Sequence, residues 1–168
     1  MFADDIIAAD GLSFAGNFYL ILRKRATHPA TGNAMSRHII ATSNAAKSPP
    51  AYSQAVKAAG LVFVSGTGPF SAEDGTVVGT TVQEQCRQCL RNIAAILEAA
   101  GSCMDSIVSA TVILLDASDF AGMNEEWIKW FPVDPPARQG ALLPARIPNM
   151  KISIAVIAEL DPSIAGAA

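Results

Sequence analysis

A chain of 168 residues is the right length for one domain with a full hydrophobic core. Its residues are 51% apolar and 16% charged, against about 25% charged in an average soluble domain, so part of its surface is expected to be buried against further copies of itself. The net charge of −3, with no run of like charges beyond Arg23-Lys24-Arg25, argues against a nucleic-acid partner, which would require a basic patch.

Residues 1–34 differ from the rest. The run Phe18 to Leu22 is far too short to cross a bilayer, and Asp4, Asp5 and Asp10 speak against a transit peptide. This stretch reads as a loosely attached tail, or as translation from an upstream start, with the compact domain spanning 35–168.

From Met35 the pattern becomes regular. Arg37 to Thr42 is a short strand, and Lys47 to Ala51 a proline-containing loop. Tyr52 to Ala58 and Leu61 to Ser65 form two strands around a tight turn at Ala59-Gly60, and Asp74-Gly75 marks another turn. Thr80 or Thr81 caps a long helix reaching about Ala100, with Val82, Cys86, Cys89, Leu90, Ile93, Ile96 and Leu97 on one side. Gly101 is placed to end it in a left-handed conformation. Ile107 to Leu115, rich in β-branched residues, is a buried strand. A second helix starts near Ser118, turns Phe120, Met123, Trp127 and Ile128 inward, and stops before Pro132. Ala137 to Leu143 and Lys151 to Glu159 are the last two strands. The order β-β-β-α-β-α-β-β predicts an α+β fold, one mixed sheet with both helices on a single face. The other face is apolar too, and a neighbouring subunit is its simplest cover.

Three motifs invite a chemical reading. Cys86 and Cys89 match C-x-x-C, but they lie inside the helix on its apolar side, whereas a redox pair places its first cysteine at a helix N-terminus. Zinc would need about four ligands, and only His28 and His38 could add to the cysteines. Core packing is the better reading, and with Cys103 the odd count fits a reducing, cytoplasmic setting. Ser65-Gly66-Thr67-Gly68 follows a strand, yet Pro69 begins a loop where a dinucleotide site requires a helix. No nucleotide cofactor is expected; a close approach of backbone to a ligand stays open. In Pro135-Pro136-Ala137-Arg138 two prolines stiffen the approach to a strand that opens on an arginine. Arg138 either ends in solvent or clamps a carboxylate, for which guanidinium geometry is well suited.

Taken together, the residues resemble the Rid family, also called YjgF/YER057c/UK114, of reactive-intermediate (enamine/imine) deaminases. The similarity covers Met35 to about Leu160. It rests on Ala51-Tyr52-Ser53-Gln54-Ala55-Val56, Val62-Phe63-Val64-Ser65-Gly66, the helix Gln85 to Gly101, Asp119-Phe120-Ala121-Gly122-Met123-Asn124, Pro135-Pro136-Ala137-Arg138 and the strand Ile152 to Glu159. The resemblance implies a chorismate-mutase-like fold, homotrimers, and ligand sites in clefts between subunits. It implies that Arg138 binds the substrate carboxylate, that Tyr52 lines the cleft, that the backbone of Gly140 helps to hold a water, and that Ser65 and Asn124 lie close by. The implied reaction hydrolyses a small 2-imino or enamine carboxylate to a 2-keto acid and ammonia without a cofactor or metal.

One departure stands out. Active deaminases of the family carry a glutamate on the last strand, and alignment on Arg146-Ile147-Pro148 and Lys151-Ile152 puts Ser153 there. Glu159 shares its face but lies roughly 20 Å along the strand, too far to substitute. Glu125 or Glu126 would either reach the cleft or, as helix residues more often do, face solvent. The expected function is a RidA-like deaminase, weakened or redirected by Ser153, or a non-catalytic trimeric binder of small carboxylates. Ribonuclease activity, sometimes attached to the family, fits the acidic balance least.

Overall fold

The computed structural model describes residues 37–142 and 147–161, all within a compact unit running from Met35 to Ala168. The expectations for the N-terminal tail, Leu143 and Arg146 fall outside the described residues. Six strands and two helices follow the anticipated order: β1 (His38–Ile40), β2 (Ala55–Ala58), β3 (Leu61–Thr67), α1 (Val82–Ala100), β4 (Ile107–Leu114), α2 (Phe120–Trp130), β5 (Ala137–Leu142) and β6 (Ile152–Glu159). They form one sheet in the order β1-β2-β3-β6-β4-β5. Only β4 and β5 pair in parallel, across the α2 crossover; the other neighbours are antiparallel.

α1 forms where local and tertiary demands agree. Thr81 caps it by accepting from Glu84 N, while the Glu84 carboxylate accepts from the Thr81 and Thr80 backbone N–H groups and so lies below its ordinary pKa. The predicted stripe from Val82 to Leu97 is buried, and Gly101 ends the helix at φ 78°. Val62 and Val64 of β3, Ala110, Val112 and Leu114 of β4, and Ile152, Ile154, Val156 and Ala158 of β6 supply the sheet side of this core. Both helices pack on that face, as the burial pattern of alternate strand residues requires.

Several boundaries differ from the sequence reading; β1, expected over Arg37 to Thr42, is confined to His38–Ile40. β2 begins at Ala55 because Pro49 and Pro50 lead into a turn in which Tyr52 N donates to Pro49 O (3.3 Å). Tyr52 therefore sits on a loop. β3 runs two residues beyond Ser65. A short 3-10 turn, Ala117–Asp119, precedes α2. The inward face of α2 is also corrected: Met123, Glu126 and Trp127 are buried, whereas Phe120 is 53% and Ile128 63% exposed. A buried ion pair made by Glu126 sets this rotation.

Candidate functional site

Tyr52, Ser65 and Ser153 line one cavity of about 540 Å³. Its first wall is the loop before β2, pinned by the buried side chain of Gln54. Gln54 Oε1 accepts from Thr42 N (2.6 Å), and its Nε2 donates to Thr42 O (3.1 Å) and Ala46 O (2.8 Å). The second wall is a β-bulge. Val64 pairs with Val156 but Thr67 with Ile154, so β3 carries one extra residue at Ser65-Gly66. The bulge re-aims Ser65, whose Oγ donates to Ser53 O (2.8 Å) and whose N donates to Gln54 O (3.0 Å). Opposite it on β6, Ser153 Oγ lies 3.2 Å from where a Cβ on residue 66 would be, so Gly66 is what lets the two strands' side chains share this space.

Arg138 belongs to a different place. It pairs with Ala110 on β4, hence on the helix side of the sheet, at a strand whose residues are all exposed. Its guanidinium lies 5.0 Å over the Trp127 ring, donates from Nη2 to Asn124 Oδ1 (2.6 Å), and approaches Met123 Sδ (3.4 Å). Trp127 in turn packs against Phe131, the ring centroids 4.6 Å apart and the planes tilted by 38°. Among the described residues no carboxylate pairs with Arg138. Gly140, two residues on along the same edge strand, pairs with Val112 of β4.

The register measures how far apart these groups are. Ile113 pairs with both Ser153 and Ala141, while Arg138 lies three residues back along β5. That displacement is ~10 Å along the strand and ~10 Å across two strand spacings, with the side chains on opposite faces. A single chain thus brings together Tyr52, Ser65 and Ser153, and separately Arg138, Asn124 and Gly140, but not the two sets.

Neither glutamate of α2 lines the cavity. Glu125 is exposed and accepts from Gln83 Nε2 (2.9 Å). Glu126, instead of facing solvent, is 2% exposed and takes both donors of Arg87 (2.8 and 2.7 Å). Lys129 Nζ (3.1 Å) and Trp130 Nε1 (3.3 Å) complete its shell. The Arg87 bonds hold its carboxyl below the usual range against the opposing effect of burial. This clamp, linking α1 to α2, was missed because a single buried carboxylate carries no periodic signal. Cys86 and Cys89 are core residues; burial, then the nearby Glu126 charge, pushes the Cys86 thiol up to about 12. No group of metal-binding side chains occurs among the described residues.

The fold is an α+β domain on one mixed sheet, and its edge strand β5 presents Arg138 without a carboxylate partner among the described residues. Residues 42–160 match the family model described as Endoribonuclease L-PSP. The chain is 37% identical over 130 residues to Reactive Intermediate Deaminase A, chloroplastic, of Arabidopsis thaliana, covering 77% of this chain and 70% of that protein. It is 35% identical over 130 residues to the 2-iminobutanoate/2-iminopropanoate deaminase of Rattus norvegicus, covering 77% of this chain and 95% of the relative. The crystal structure of E. coli TdcF with bound serine aligns with a TM-score of 0.68 at 31% identity, over 74% of this chain and 99% of that one. The chain belongs to the Rid (YjgF/YER057c/UK114) family.

Proposed function

We propose that this protein is a cofactor-independent deaminase that hydrolyses 2-imino or enamine carboxylates to 2-keto acids and ammonia. The observation that carries the reading is an exposed guanidinium held in place by two neutral groups, Asn124 and Trp127, with its charge left for an external anion. The names of the rat and Arabidopsis relatives, and the serine bound in E. coli TdcF, support a ligand of amino-acid type.

In this mechanism the two half-sites meet between copies of the chain, in a homotrimer. Arg138 grips the substrate carboxylate beside Asn124, and Tyr52 and Ser65 of a neighbouring copy wall the reacting carbon. The Gly140 carbonyl and Ser153 orient a water. The water oxygen bonds to C2 as the C=N π electrons move to nitrogen, and the water's spare proton passes through solvent to that nitrogen, giving the carbinolamine. The carbinolamine then takes a proton on nitrogen, loses ammonia and releases its hydroxyl proton to become the keto acid. No step calls for an electron acceptor or a metal. The three free cysteines suit a reducing compartment such as the cytoplasm.

A coupled assay tests this. An amino-acid oxidase generates 2-iminopropanoate in situ, and its decay is followed with wild type and Arg138→Ala. Faster decay with wild type, with KM raised steeply by the substitution, is the expected result; an unchanged KM removes Arg138 from the role given to it.

Ser153 favours a second reading, a trimer that binds small carboxylates without turning anything over. A serine hydroxyl hydrogen-bonds a water but does not take its proton, and a positioned general base is worth ~10²–10⁴-fold. Tight binding of a 2-keto acid with no acceleration of any imine would select this reading.

A further inference from the structure

The cavity has two chemically distinct ends. At the polar end, Ser65, Ser153 and Tyr52 converge around Gly66. Two residues along β3, or ~7 Å, a different surface begins. A Cβ on Gly68 would run into the Phe70 ring and come within 3.4 Å of Met150 Sδ, so ring and thioether lie together over that glycine. Ile147 also lines the cavity, and its carbonyl accepts from Met150 N (3.2 Å). Phe70, Met150 and Ile147 form an apolar shelf.

The shelf is held firmly. Asn92, buried in α1, donates from Nδ2 to Gly68 O (3.2 Å) and Phe70 O (2.9 Å). Phe70 also bridges to Val77, and Ser71 N donates to Thr76 O (2.8 Å) across the turn that follows. Such backbone restraint is more than a disposable solvent-facing loop requires.

We infer that this shelf receives the side chain of the substrate, and that the preferred substrates are imines of the larger apolar amino acids, such as leucine, methionine and phenylalanine. The inference rests on the deaminase reading for the placement of C2 beside Ser65 and Ser153. From there an isobutyl, thioether or benzyl group extends toward a surface ~7 Å away, whereas the methyl of 2-iminopropanoate stops short of it. Ser153 contributes by being short: a glutamate there would project into the passage between the two ends.

The test compares imines generated by an L-amino-acid oxidase from alanine, leucine and phenylalanine, with wild type and Ile147→Asp. Ile147 is partly exposed, so the charge is tolerable for folding. Wild type is expected to favour the leucine imine over the alanine imine in kcat/KM by at least tenfold, and Ile147→Asp to bring that ratio close to one. An alanine imine turned over as well as the leucine imine, or a ratio unmoved by Ile147→Asp, overturns the shelf. Binding of 4-methyl-2-oxopentanoate and of pyruvate is measured in parallel. If no imine is accelerated but 4-methyl-2-oxopentanoate binds tenfold more tightly than pyruvate, the shelf stands and only the deaminase reading fails. Equal affinities, with no turnover, remove both.

Discussion

Arg138 Nη2 donates to Asn124 Oδ1 at 2.6 Å, and the same guanidinium lies over Trp127, so a cation is oriented without being neutralised. Replacing the amide by a near-isosteric carboxylate separates these two effects. Asn124→Asp converts the contact into an internal ion pair that competes with any incoming carboxylate. Ligand affinity should fall at least tenfold in a titration with a 2-keto acid, while the melting temperature holds or rises. Undiminished affinity would mean that Arg138 is not the anion site.

Ser153 is the natural place to probe water activation. Ser153→Glu places a carboxylate on the wall shared with Ser65 and Tyr52. If proton transfer from water is what this chain lacks, kcat for 2-iminopropanoate should rise by ~10²-fold or more in the coupled assay. Turnover at the wild-type level would show that the barrier lies elsewhere.

The Glu126 clamp makes a prediction about acid stability. Its carboxyl is held below the ordinary carboxylate pKa in the folded protein, so its contribution is present above about pH 4.3 and lost as pH falls through the folded value. Glu126→Gln should cost about 2 kcal/mol at pH 7 in denaturant unfolding. That difference from wild type should shrink steadily below pH 4; a pH-independent difference would remove the ionised pair as its cause.

Thiol chemistry checks the core. Cys86 and Cys89 are buried with raised pKa values, whereas Cys103 is exposed. A disulfide reagent at pH 8 should label Cys103 in the native protein and reach the other two only after unfolding. Rapid native labelling of all three would contradict the packing of α1.

How much of this was legible beforehand depends on the kind of signal. α1 was readable end to end because its cap, its apolar stripe and Gly101 state the same boundaries independently. The face of α2 was misread because apolar spacing pointed to Phe120 and Ile128, while the deciding residue was Glu126, buried by a partner 39 positions away. Tyr52 was drawn into a strand by its β propensity, and Pro49 overruled it. The bulge at Ser65-Gly66 and the separation of Arg138 from Ser153 follow from strand pairing, which periodicity along one strand does not encode. Arg138 was singled out by its own sequence context and the other candidate site residues by the family resemblance; where each stands came only from the sheet order.

β5 lies at the end of the sheet, exposed along its whole length, with β4 as its one strand partner among the described residues. The same backbone that presents Arg138 and Gly140 therefore offers a template to any extended segment that drifts past. In the homotrimer proposed above, association that covered this edge would guard against fibrous self-pairing as well as complete the pocket. Substitutions that weaken subunit contact should accordingly reveal themselves as turbidity before they register as lost activity.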